Sequence, residues 1–168
     1  GAAEVARAAP DGTTLLLDHH SSPSFLTGSL RAIREALEEV GLRSVLCYEV
    51  TDRNGEAGRR EGMEENVQFQ LAHQSELTRG MVGAHASFTL SDETLEGLAR
   101  AVRLTGSGLH VHAAEDRKDV EDAARRGASG VVDRLQRHGL VGEGTILVHA
   151  VHLSEDELRR AQDAGAWI

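Results

Sequence analysis

Short runs of aliphatic and β-branched residues recur along the chain at 13–18, 44–50, 81–88, 109–114 and 145–150. None alternates cleanly between apolar and polar positions, which is how strands buried on both faces of a parallel sheet read. Between these runs the apolar spacing becomes helical. Leu30, Ile33, Leu37 and Val40 share one helical face, and Gly41 supplies the stop. Met63, Val67 and Leu71 predict a second helix within 59–77. Ser91 caps a third, which carries Leu95, Leu98 and Val102 toward Gly106. A fourth is expected over 120–138. The last opens on the capping-box spacing Ser154-Glu155-Asp156-Glu157 and ends near Gly165.

Successive strands start about 20 to 40 residues apart, the spacing of right-handed strand–helix–strand crossovers. Residues 2–9 read as the tail of a helix and 166–168 as the first residues of another strand. Five full units flanked by broken ones occupy 168 residues, whereas a closed eight-stranded barrel takes about 250. The expected fold is therefore α/β: a partial (β/α)8 barrel of TIM type, about strands 2 to 6 and the start of 7. It forms a single domain over 1–168, read as an internal fragment of a longer barrel. The competing architecture is a complete five-stranded doubly wound domain. Its phosphate loop is usually rich in Gly or Ser/Thr, and Asp18-His19-His20-Ser21-Ser22-Pro23 contains no glycine.

Hydrophobic residues make up 40% of the chain and aromatics 3%, so the core must be mostly Leu, Val and Ala. The formal charge of −9 leaves no basic patch for nucleic acid or an anionic membrane. One cysteine, Cys47, permits no internal disulfide. No apolar run approaches the roughly 18 residues of a membrane span, and no signal-peptide pattern opens the chain. The expected location is the cytoplasm. Sheet edges left by missing strands make a homo-oligomer conceivable.

The nine histidines change the picture. The first strand ends in Asp18, His19 and His20, and the second in Glu49, Thr51 and Asp52. The third carries His85, the fourth His112 followed by Glu115, and the fifth His149 and His152. In a barrel those ends meet at the face where active sites are built. His110 and His112 share one side of their strand. Glu115, just past it, can approach a water held by a metal on His112, the arrangement that metal-assisted hydrolysis requires. The competing reading makes His110 and His112 hydrogen-bonded core residues. His149 is placed to ligate metal or to bond a substrate. His85, at a strand-to-helix turn, is read as a substrate contact. His152 is divided between loop packing and function, His73 and His138 read as surface residues, and Cys47 as an inert apolar side chain.

The stretches 15–23, 47–53, 83–91 and 110–116 together resemble the amidohydrolase superfamily. The resemblance is to its deaminase and chlorohydrolase branch, nearest to aminohydrolases linked to selenium metabolism, and covers essentially the whole chain. It implies a hydrolase that cleaves C–N bonds of a small nitrogen-rich ring with metal-activated water. His112 matches the metal ligand, Glu115 the proton-shuttling acid of a His-x-x-Glu motif, and His149 a histidine beside the metal and its water. His85 matches a histidine that touches substrate, and Glu49 is assigned to the substrate site. The implied cofactor is a divalent metal, zinc first and iron second; the implied partner is a small molecule. Family members also carry a His-x-His pair on the first strand and an aspartate on the eighth, neither of which lies in this chain. The 168-residue chain alone is therefore expected to bind metal weakly and turn over little. The alternatives are a non-catalytic structural fragment, a small-molecule-binding scaffold and a doubly wound nucleotide-binding domain.

Overall fold

The computed structural model describes residues 12–168, so the helix tail expected over 2–9 lies outside the described residues. Strands β1 (Leu15–His20), β2 (Arg43–Val50), β3 (Thr78–Gly80), β4 (Val82–Ala86), β5 (Leu109–Ala113) and β6 (Ile146–His149) form the sheet. Helices α1 (Ser29–Glu39), α2 (Gly55–Ala72), α3 (Asp92–Thr105), α4 (Arg117–Arg125), α5 (Val131–Arg137) and α6 (Glu155–Asp163) join them. All strand pairs are parallel. Their order is β1-β2-β4-β5-β6, with β3 also beside β2. A doubly wound sheet reverses its strand order part-way across. This one does not, so the doubly wound reading is excluded and the sheet is a segment of a (β/α) barrel.

Several boundaries differ from expectation for local reasons. The first strand runs to His20, with His19 paired to Cys47 and His20 to Tyr48, so both histidines lie within the strand. The strand expected at 81–88 is β4, and it is preceded by the unexpected β3; the two keep one register against β2 and are interrupted at Met81. The side chain of Asn66 fills that gap: its Oδ1 accepts from Tyr48 N–H at 2.8 Å and its Nδ2 donates to Tyr48 C=O at 2.9 Å. Helix α2 stops at Ala72 because Ser75 Oγ accepts from the amides of Leu77 and Thr78 and turns the chain into β3. The helix expected over 120–138 is two helices. Gly127, at φ +75°, provides the left-handed residue that ends α4, and Ala128 N–H bonds back to Ala123 C=O at 3.0 Å.

One face of the sheet packs on the helices. Val82, Leu95, Leu98, Leu109, Val111, Val132, Leu135 and Leu147 anchor the larger cluster, and Leu30, Leu37, Leu46, Tyr48 and Phe69 a second under α1 and α2. Strand alternation then sends Cys47, Glu49, Gly83, His85, His110 and His112 to the opposite face, the inner face of the barrel segment. Acidic side chains fix the helix starts around it. Glu65 accepts from the amides of Gly28 and Leu30 at the head of α1. Asp52 accepts from Ser91 N–H at 2.5 Å and Thr94 Oγ1 at 2.6 Å, so it serves the cap of α3 and not the mouth. Among the described residues no helix is long and apolar enough to cross a membrane.

Candidate active site

His112 stands at the centre of the strand ends. Its ring centroid lies 4.6 Å from that of His19, 5.3 Å from His149, 5.5 Å from His85 and 6.5 Å from His110. Five histidines from four strands thus share one small volume. A cavity of about 190 Å³ opens beside them, lined by His85, Ala86, Phe88, His112, Glu115, Asp116 and Asp119. Of the residues expected at the site, His85, His112, Glu115 and His149 are brought together. Glu49 stands outside that cavity's lining but beside His19, its Oε2 3.5 Å from His19 Nε2. Its Oε1 accepts from Ser21 Oγ at 3.2 Å and faces Arg53 at 3.5 Å.

The position of His149 needs a backbone explanation. In the β5–β6 register His112 is paired with Val148, and His149 follows the parity of Leu147, which packs on the helices. His149 nevertheless faces His112, because His149 and Ala150 adopt left-handed conformations at φ +72° and +55°. Ala114, at the matching end of β5, has φ +51°. Such conformations cost about 1 kcal/mol or more each for residues with a Cβ and gather where function dictates geometry. They are held by Ala150 N–H on Ala113 C=O at 3.0 Å and His152 N–H on Ala114 C=O at 2.9 Å. His149 Nε2 then stands 3.6 Å from Glu115 Oε2.

Asp119 ties the loops of the cavity together. Fully buried, it accepts from Ala114 N–H at 2.8 Å and Phe88 N–H at 3.0 Å, joining the turn that carries Glu115 to the turn after His85. The latter turn is also gripped by buried Arg134, which donates to Leu90 C=O and Asp92 at 2.8 Å and to Ser87.

Burial favours the neutral form of three of these histidines, His85, His110 and His112. Burial, reinforced by His19, pushes His110 and His112 down to about 4. Burial also lowers His85. Burial alone would raise Glu49, but the His19 ring, 3.5 Å from its carboxylate, and the nearby His85 hold it below the usual carboxylate range. For His85 the tautomer follows from its neighbour. Thr89 Oγ1 donates to Ala86 C=O at 2.9 Å, so at 2.9 Å from His85 Nδ1 it must accept. Nδ1 therefore carries the proton, and Nε2 of the neutral ring is an acceptor.

Among the described residues, two buried ring nitrogens have no hydrogen-bond partner: His112 Nδ1, and His19 Nε2, which faces the Glu49 carboxylate at 3.5 Å. Such atoms cost about 1–3 kcal/mol each unless something engages them. Donor atoms of His19, Glu49 and His112 lie within 4.8 Å of one another, as do those of His19, Cys47 and His110. The expectation of a metal-poor chain counted only His112 and His149. His19 was noted at the end of the first strand but not counted as a donor; pairing with Cys47 puts it on the inner face. His152 lines a separate small cavity with Arg117, Val120 and Glu121.

A sequentially ordered parallel sheet with histidines and a carboxylate gathered at its strand ends is a segment of a (β/α) barrel with a candidate site at one rim. The chain belongs to the amidohydrolase family, whose sequence profile matches residues 2–166. It is 30% identical over its whole length to a 5'-deoxyadenosine deaminase of Methanopyrus kandleri, of which it spans 38%. An adenosine deaminase from Xanthomonas campestris with bound zinc superposes on 96% of the chain with a TM-score of 0.79, at 20% identity and 36% of its own length. An atrazine chlorohydrolase from Arthrobacter aurescens complexed with zinc matches 97% of the chain at the same TM-score, with 20% identity over 40% of its length. The chain thus spans about two-fifths of the length of the proteins it matches.

Proposed function

We propose that the protein is a metal-dependent aminohydrolase that removes an amino group from a small nitrogen-rich ring, with an aminated purine nucleoside as the first substrate to try. The convergence of His85, His112, Glu115 and His149 on one cavity carries this reading. The similarity to a 5'-deoxyadenosine deaminase suggests the substrate class.

The residues fit a divalent cation. His112 would hold it, with His19 and Glu49 within reach, since two otherwise unpartnered imidazole nitrogens and a carboxylate suit zinc, with iron second. When bound, such a cation brings the pKa of water toward neutrality and withdraws charge from the attacked carbon.

The chain's own groups do the rest. Glu115 accepts a proton from the attacking water and returns it to the departing amino nitrogen, so that water and the amine yield a ring carbonyl and ammonia. His149, 3.6 Å from Glu115, holds that carboxylate at the mouth. His85 Nε2, as an acceptor, takes a hydrogen bond from an N–H of the substrate. Asp119 and Arg134, by fixing the two turns, keep the cavity closed on one side.

Ammonia release from adenosine and 5'-deoxyadenosine, measured on zinc-loaded protein, tests the proposal. Turnover that disappears on chelation and in His112→Ala is expected. Metal-loaded protein inert toward aminated purines and triazines alike would favour a binding scaffold.

A further inference from the structure

The floor beneath the candidate active site contains two donors that the proposed chemistry does not use, Cys47 and His110, beside the free face of His19. Barrel interiors are normally filled by layers of Val, Ile and Leu. Here the inner face instead carries His19 of β1 paired with Cys47 of β2, and His110, which is paired with Gly83 on β4, reaches them with its side chain. Between β2 and β5 stands Gly83, whose lack of a side chain leaves the space into which the three converge; a Cβ there would lie 3.0 Å from Cys47 Cβ and 2.4 Å from Tyr48 C=O. Cys47 has no exposed surface and His110 is 6% exposed. Placing three polar groups in a barrel core is costly unless they are engaged.

We infer that His19, Cys47 and His110 form a binding site for a thiophilic metal cation, zinc or a metal of similar preference, separate from the one at His112. Cys47 Sγ lies 3.6 Å from His19 Nδ1, and a tetrahedral site with ordinary zinc–sulfur and zinc–nitrogen bonds sets those two atoms about 3.5 Å apart. His19 Nδ1 and His110 Nδ1 are 2.7 Å apart and share a hydrogen bond. They must separate by roughly 0.6 Å to ligate together, given the same bond lengths. Two imidazoles and one thiolate are a recurring set for zinc and copper. Binding releases the Cys47 thiol proton to solvent, and no electrons change hands. His19 offers its Nδ1 to the floor while its Nε2 faces Glu49, so one ring links the two levels. A cation there would fasten β1, β2 and β5 together across the sheet.

Cys47 is the only cysteine of the chain, which makes the test specific. Purified, reduced, metal-free protein is titrated with cobalt(II) alone. The expected result is a near-ultraviolet thiolate-to-cobalt band that saturates at one ion per chain. It should be lost in Cys47→Ser and His110→Gln and kept in His112→Ala. X-ray absorption of zinc-loaded wild-type protein, which needs no variant, should find one sulfur per chain in the zinc shell. No thiolate band, a band that survives Cys47→Ser or falls in His112→Ala, or a zinc shell of nitrogen and oxygen only would each overturn the inference. Neither readout depends on deaminase activity, so failure of that activity leaves this site standing and the reverse also holds.

Discussion

Replacing Asp119 by alanine removes the carboxylate that joins the turns after β4 and β5. Its two partners, Ala114 N–H and Phe88 N–H, are amides that no other acceptor is placed to serve. Each unpaired buried donor costs about 1–3 kcal/mol, and relief of the burial of the carboxylate offsets part of that, leaving a loss of about 2–4 kcal/mol. For a chain of this size each kcal/mol lowers Tm by about 2–4 °C, so Asp119→Ala should melt about 5–15 °C below wild type. Hydrogen exchange should accelerate at Ala114 and Phe88 before it does in the core strands. Asp119→Asn keeps one acceptor and should lose roughly half as much. The pH dependence carries a second signature. Burial raises the Asp119 carboxyl above its ordinary value of 3.8, so the folded state holds that proton more tightly than the unfolded chain. Its favourable contribution is complete below the ordinary value and declines as pH rises through the raised one. Asp119→Asn should flatten that decline. An Asp119→Ala variant that melts within about 2 °C of wild type, or that exchanges these two amides at wild-type rates, would refute the clamp.

Three further outcomes follow from the same geometry. Gly108→Ala places a Cβ 1.9 Å from Gly144 C=O and 2.8 Å from Thr145 N, both backbone atoms; urea unfolding should show a loss of about 2–3 kcal/mol, and a loss under about 1 would mean the two loops yield freely. His110 and His112 sit near 4 against an ordinary 6.5, so the folded state binds their protons less tightly than the unfolded chain. Metal-free protein should therefore lose stability as pH falls from about 6.5 toward 4, and a flat urea midpoint across that window would contradict their burial. Ala150→Gly relieves a left-handed residue at φ +55° and should be neutral or stabilising by up to about 1 kcal/mol, whereas Ala124→Gly on the exposed face of α4 should cost about that much; equal losses would deny the strain.

The order of strands and helices was legible because apolar runs and caps are local signals. Ser91 and Ser154 cap α3 and α6 as their spacing predicts. What escaped depends on contacts distant in sequence. The extent of β1 is set by pairing with Cys47 and Tyr48, so His19 was left outside its strand. The split of 120–138 turned on one glycine whose left-handed conformation a helical pattern does not reveal. At the candidate site, the grouping of His85, His112, Glu115 and His149 was readable from strand ends. The way His149 reaches that group was not: simple alternation gives it the parity of Leu147, and left-handed backbone turns it inward. Cys47 read as an inert packing residue and His110 only as a neighbour of His112, and the closeness of both to His19 beside Gly83 is visible only in the folded chain.

The proposed chemistry rests on Glu115 as the group that moves the proton, and one variant isolates it. Turnover and bound metal are to be measured together in Glu115→Gln, which keeps the size of the side chain and its place opposite His149. Metal content equal to wild type with turnover reduced by about 100-fold or more is the expected result. Turnover within about threefold of wild type at full metal loading would contradict it, since general acid–base work is worth far more than that.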